Sequence, residues 1–293
     1  MKLILKLAFS ASLIGATLYV AGAAPVWAAL AEADLRWLGV AAFCLISVTV
    51  LMARRWQLVA QSLGLDLTYG LALREYFLSG LINQILPGGV LGDASRAIRL
   101  RHAGDLKRAA KSVLLERLIG QIFLWAVMAV GFMIALLLPG GLPLPLWIWV
   151  VLVGLIALFG LAYISRFPLI NDAVSLLRRS EQTLISGLIT ALLLVSFAAC
   201  ARGVGAVLPG EAILTLIPLI LSAMIIPLSI GGWGWREGAA AMLFPLAGLE
   251  ASLGVATGIA YGGLLLLTAL PAMVFLVWVH TGDPVARQSA TTE

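Results

Sequence analysis

Long apolar runs follow one another along almost the whole of this 293-residue chain: Leu3 to Ala24, Trp37 to Ala53, Ser112 to Leu138, Leu144 to Ile164, Thr183 to Ala201, Ala212 to Ile230 and Leu253 to Val279. A helix needs about 20 apolar residues to cross the hydrocarbon core of a bilayer. The runs are continuous rather than alternating, which excludes a transmembrane β-barrel. Charged residues make up 11% of the chain and hydrophobic ones 62%, whereas a soluble domain is about 25% charged. The mean hydropathy is +1.07. Such a composition excludes an ordinary soluble enzyme, a disordered chain and a disulfide scaffold. The expected fold is an all-α polytopic membrane protein with about six full spans plus two re-entrant or broken helices. It forms a single membrane domain, with no room for a separate soluble domain of roughly 100 residues or more.

The formal charge is +5. In this setting the excess of Lys and Arg is a topology signal rather than a sign of nucleic acid, because basic residues gather in cytoplasmic loops. With the N-terminus inside, only Arg36, Arg202 and Arg236 fall towards the outside. Both termini are therefore expected in the cytoplasm, including a short polar tail over 283–293, with the protein in the inner (plasma) membrane. The first run has the basic start and small residues of a signal peptide, but its full span length favours a retained helix. Cys44 and Cys200 lie inside apolar runs and read as buried thiols. His102 and His280 have no metal-ligand spacing around them. No metal, P-loop, nucleophile-elbow or other cofactor motif occurs, so no cofactor is expected.

Two segments interrupt the apolar pattern in the same way. Leu71–Leu86 is short, carries Arg74 and Glu75, and runs into Pro87-Gly88-Gly89. Ala212–Ile230 carries Pro218 and Pro227 and runs into Gly231-Gly232. Helices do not continue comfortably through such sequences.

These breaks are part of a wider repetition. Displaced by 143 residues, Leu3–Ala24 falls on the span from Leu144, Trp37–Ala53 on Ser180–Ser196, and Leu71–Leu86 on Leu214–Ser229. Gly88-Gly89 falls on Gly231-Gly232 and, with one residue inserted, Asp93 on Glu237. Each half (1–142 and 143–282) is then span, span, broken helix with an acid, span. Three full spans is an odd number, so the second half enters the membrane upside down. Inverted repeats of this kind build many secondary transporters, with sites where broken helices meet.

Ionisable groups at membrane depth are costly and mark functional sites by default. The candidates for contact with a substrate are Asn83, Gln84, Asp93, Arg96, Glu116, Arg117, Arg236 and Glu237. The glycines and proline that would supply hinge and bare backbone are Pro87, Gly88, Gly89, Gly92, Gly231, Gly232 and Gly234. Glu116 and Arg117 are adjacent and point in different directions on a helix. They are expected to pair elsewhere, Arg117 with Asp93 and Glu116 with Arg74 or Arg96. Arg202 reads as an interfacial anchor, and Arg54-Arg55 beside Trp56 as a cytoplasmic membrane edge.

Three stretches, NQILPGGVLGDASRAIRL, SVLLERLIG and IPLSIGGWGWREGA, taken in order, resemble the flippase-like membrane family. This is the transmembrane region of lysylphosphatidylglycerol synthases, which also occurs as stand-alone proteins. The resemblance covers roughly residues 35–280. One departure is Leu91-Gly92-Asp93, where the family often has Gly-Gly-Asp. The resemblance implies a multi-span fold with re-entrant helices and movement of a lipid between leaflets. In two-domain members a soluble C-terminal domain makes the aminoacylated lipid. No such domain is expected here, and hence no aminoacyl transfer. The expected function is a lipid flippase working by alternating access. Its substrate would be a polar-headgroup lipid, such as an aminoacylated phospholipid or a polyprenyl-phosphate-linked sugar. The alternatives are a non-transporting membrane partner of a lipid- or glycan-modifying enzyme and, less favoured, a lipid-linked transferase.

Overall fold

The computed structural model describes residues 2–86, 91–100, 105–137, 142, 145–224, 229 and 231–273. Pro87, Gly88, Gly89, Pro227, His102, His280 and the 283–293 tail lie outside the described residues. Twelve α-helices are present among them: α1 (Lys2–Ala21), α2 (Ala23–Ala31), α3 (Leu35–Ser62), α4 (Tyr69–Ile85), α5 (Leu91–Leu100), α6 (Leu106–Leu137), α7 (Leu146–Ile164), α8 (Pro168–Leu177), α9 (Ser180–Gly203), α10 (Gly210–Ala223), α11 (Trp235–Leu243) and α12 (Ala251–Ala269). A 3-10 turn, Phe244–Ala247, follows α11.

Among the described residues, four helices are long and apolar enough to cross a membrane: α3, α6, α9 and α12 with its extension to Met273. The bent pair α1 and α2 makes a fifth if counted as one span. The six full spans expected from the runs are met in part by these helices. The first run, expected as one straight helix to Ala24, turns by 93° between α1 and α2. Gly22 sits at the bend with φ +81°, a left-handed conformation that glycine adopts without a side-chain penalty. Pro25 then withholds the N–H that a continuous helix would need. Neither α2 nor α8 was apparent from the apolar runs. The amphipathic α8 opens on Pro168, the first helical position, where proline is well tolerated. The 19-residue α7 carries no Asp, Glu, Lys or Arg.

Each helix of α1–α6 has a counterpart in α7–α12 that begins 141–145 residues later. Neighbour relations correspond as well. The pairs α3–α4, α4–α5, α5–α6, α3–α6, α6–α8, α6–α9 and α6–α10 are matched by α9–α10, α10–α11, α11–α12, α9–α12, α12–α2, α12–α3 and α12–α4. The counterparts α3 and α9 lie side by side and antiparallel. At one end the Asp34 N–H donates to the Gly203 carbonyl at 2.8 Å, and Arg202 stacks over Trp37 at 4.9 Å. At the other end Arg54 pairs with Glu181 at 2.8 Å, and the Gln182 amide donates to the Arg55 carbonyl at 3.4 Å.

The main core joins the two halves. Leu45, Met128, Phe132, Phe197, Leu216, Ile220, Phe244 and Tyr261, from α3, α6, α9, α10, α12 and the 3-10 turn, pack in one cluster. Gly131 permits a close crossing between halves. A Cβ built there would stand 2.6 Å from the Leu214 carbonyl oxygen of α10. Outward faces of the spanning helices stay apolar and exposed, as at Phe43, Leu136, Leu188 and Leu267, which suits contact with lipid tails rather than water.

Candidate functional site: two buried charge clusters

The first cluster is built by α3, α4, α5 and α6. Glu116 of α6 is fully buried. Its Oε1 accepts from Arg55 Nη2 at 2.6 Å and Nε at 3.1 Å, and its Oε2 accepts from Arg96 Nη2 at 3.0 Å. Arg96 also pairs with Asp93 one turn back on α5 at 3.1 Å, and Asp93 in turn pairs with Arg117. The expected Arg117–Asp93 and Glu116–Arg96 pairings are both present. Arg55, rather than Arg74, is the second arginine beside Glu116. Asp93 lies in the first turn of α5, where a negative charge is favoured by the helix dipole.

Aromatic faces complete this cluster. The Arg96 guanidinium stands 4.7 Å from the Trp56 ring and 4.4 Å from that of Tyr76. Cation–π contact partly replaces the hydration lost on burial. Nearby, Glu75 is buried and pairs with Arg99 on the neighbouring α5. Within α3, the buried positions Ala41, Val48 and Arg55 recur every seven residues, so Arg55 faces inward. Arg54 lies off that stripe and reaches the surface. The sequence reading put both arginines at the membrane edge. The heptad spacing from Ala41 was the signal that separates them.

The second cluster belongs to α11 and α12. Gly231, Gly232 and Gly234 all have positive φ (55°, 79° and 90°), and the tight turn they form delivers the chain into α11. Glu237, in the first turn of α11, accepts the Gly234 N–H at 2.6 Å and pairs with Arg236. Both side chains are fully buried. Arg236 stands 4.9 Å from the Trp233 ring and 5.8 Å from that of Tyr261. Gly262 gives it room: a Cβ there would lie against Arg236 Nη2 and displace it from this position. Gly120 plays a similar part for Arg55, with 2.9 Å to Nη2.

The two clusters lie towards opposite ends of the α3–α9 pair. Arg55 is joined to Gln182 at the start of α9. Arg236 shares Tyr261 with Phe197, near the end of α9, whose ring is 5.1 Å from Tyr261. Between the clusters the end of α4 meets the glycine turn. A Cβ on Gly231 would lie 2.6 Å from Gln84 Oε1 and 3.3 Å from Gln84 Cα. Asn83 does other work: its Oδ1 accepts the Gly92 N–H at 2.8 Å and ties α4 to α5. Gly92 is required for close approach, because a Cβ there would sit 2.1 Å from the Ser79 carbonyl oxygen.

The described residues contain no group of three or more His, Cys, Asp or Glu that could hold a metal ion. The chemistry on offer is recognition by guanidinium forks, carboxylates and bare backbone in an apolar surround. Burying several charges is expensive unless each is paired. In a membrane bundle such groups mark pathways and binding sites.

A family model described as the lysylphosphatidylglycerol synthase TM region matches residues 3–272. This takes in α1 and α2 as well as the three stretches that carry the resemblance. No curated protein and no solved structure matches the chain.

Proposed function

The chain belongs to the lysylphosphatidylglycerol synthase TM region family, and from that membership we propose that it is a transporter that moves a polar-headgroup lipid between the leaflets of the membrane. The observation that carries this reading is the pair of buried charge clusters, one towards each end of α3–α9, joined where Gln84 meets Gly231. In an otherwise apolar bundle, charge at both depths offers a polar headgroup a station near each surface while the tails remain in lipid.

The mechanism follows from inverted halves. The matching helix order, the matching neighbour pairs and the antiparallel α3–α9 contact support two repeats of opposite orientation. Such repeats alternate access by rocking against each other around a central site. The glycine turn before α11 is a point where the path can open. Arg55, Arg96 and Arg236 engage acceptor oxygens of the headgroup, where the planar fork of guanidinium suits phosphate geometry. Asp93, Glu116 and Glu237 hold those arginines in position. In this reading the protein is a carrier rather than an enzyme, sits in the plasma membrane and has both termini in the cytoplasm.

The test is lipid exchange in proteoliposomes. Exchange of a headgroup-labelled lipid above the protein-free rate, lost in Glu237→Gln and in Arg236→Ala, supports the reading. Unchanged exchange in both variants would sink the site assignment.

A further inference from the structure

Within the transporter reading, we infer that the substrate is an anionic phosphate-bearing lipid rather than one whose headgroup carries a compensating ammonium. The inference rests on what each buried charge still lacks. Every buried carboxylate among the described residues is already committed to arginine: Glu116 to Arg55 and Arg96, Asp93 to Arg96 and Arg117, Glu75 to Arg99, and Glu237 to Arg236. Among the described residues no buried carboxylate is without an arginine beside it.

The arginines are in the opposite condition. Arg55 and Arg96 are each 1% exposed and Arg236 is 0% exposed. Yet Arg55 Nη1, Arg96 Nε and Nη1, and Arg236 Nε and Nη1 have no hydrogen-bond partner among the described residues. Guanidinium carries five N–H donors and no acceptor, and a buried donor left without an acceptor is costly. What completes these groups is an oxygen acceptor, and phosphate oxygens take guanidinium forks in charge-assisted bonds.

The charge balance is compatible with this. Outside the self-contained Glu75–Arg99 pair, the three buried arginines (Arg55, Arg96 and Arg236) are balanced by three buried carboxylates (Asp93, Glu116 and Glu237), so no buried negative charge is in excess to offset an ammonium. Trp56 and Tyr76 each already turn a face to Arg96, and Trp233 turns one to Arg236.

The experiment measures binding, independently of transport. The purified full chain in zwitterionic detergent is titrated with dioctanoyl phosphatidylglycerol, dioctanoyl lysyl-phosphatidylglycerol, dioctanoyl phosphatidylcholine, farnesyl phosphate and inorganic phosphate. Wild type is compared with Arg96→Lys/Arg236→Lys, which keeps the charge but loses the fork. Gly263→Ala serves as a neutral control, because a Cβ at that position meets open space. The expected result is binding of phosphatidylglycerol and farnesyl phosphate at least tenfold tighter than lysyl-phosphatidylglycerol. That preference should shrink in the double lysine variant, with inorganic phosphate bound only weakly. Equal or tighter binding of lysyl-phosphatidylglycerol overturns the inference. Inorganic phosphate binding as tightly as the lipids assigns the arginines to a soluble anion and overturns it too. Anionic lipid that binds but does not exchange leaves this inference standing and defeats the transporter reading instead. Exchange restricted to the lysylated lipid does the reverse.

Discussion

Arg55 and Glu116, 61 residues apart in sequence, form a fully buried ion pair 2.6 Å long between α3 and α6, and Glu116 holds Arg96 with its second oxygen. Glu116 thus lies between two guanidinium groups, and its loss strands Arg55 and leaves Arg96 with Asp93 alone. Removing one partner of a buried pair costs about 3–5 kcal/mol, whereas replacing both partners with apolar residues can be nearly neutral. Glu116→Gln should therefore lower the thermal unfolding midpoint in detergent sharply. Arg55→Met/Glu116→Met should lower it less, because Arg96 retains Asp93. A double variant less stable than the single would contradict this account of the cluster.

Gly262 is a slot for a side chain rather than a point of flexibility. Gly262→Ala places a methyl group 2.0 Å from Arg236 Nη2, whereas the next residue, Gly263, has open space at its Cβ. Gly262→Ala should abolish lipid exchange by displacing Arg236, with the protein still monodisperse. Gly263→Ala should exchange like wild type. Comparable exchange in both would show that the seat of Arg236 is immaterial.

The contact between halves has a different requirement. At Gly131 the atom that a Cβ would meet is backbone, the Leu214 carbonyl oxygen at 2.6 Å, and it has little freedom to move. Overpacking of this kind costs about 1–3 kcal/mol. Gly131→Ala should lose stability by that amount in thermal unfolding. Gly187→Ala, where the nearest atom of Phe123 is 3.7 Å away, should change it little.

Orientation is open to chemical labelling. Leu35 at the start of α3 and Glu181 at the start of α9 lie at opposite ends of the α3–α9 pair, and both are exposed. In a background lacking Cys44 and Cys200, a Cys at position 35 should react with an impermeant maleimide added outside intact cells. A Cys at 181 should react only after the membrane is opened. Breaking the Arg54–Glu181 pair costs little, since exposed ion pairs contribute about 0–1 kcal/mol. The reverse labelling pattern would overturn the placement of the termini.

Much of the architecture was legible in the sequence because it rests on local rules. Apolar runs of span length announced the long helices, and the glycine-rich stretch before Trp235 announced the turn into α11. The partners of Glu116 and Arg117 were partly legible, since adjacent residues on a helix must face different neighbours. Arg55 was not, because a neighbouring Arg54 at the surface masked it and its partner is contributed by another helix. Glu75 read as an interruption of a run, whereas it is a buried residue paired with Arg99 on the next helix. The bend at Gly22 was hidden inside an unbroken apolar run, where composition carries no information about direction. The slots at Gly120 and Gly262 depend on which helix faces which, and no spacing within one segment reveals that.

The measurement closest to the central claim is leaflet exchange in proteoliposomes holding the full chain. Labelled phosphatidylglycerol, lysyl-phosphatidylglycerol and a polyprenyl phosphate are compared, with Glu237→Gln and Arg236→Lys reconstituted alongside. The account predicts exchange of a phosphate-bearing anionic lipid well above the protein-free rate, lost in Glu237→Gln and strongly reduced in Arg236→Lys. No exchange of any of the three by folded wild-type protein would contradict it, and would favour a membrane partner of a lipid- or glycan-modifying enzyme in place of a carrier.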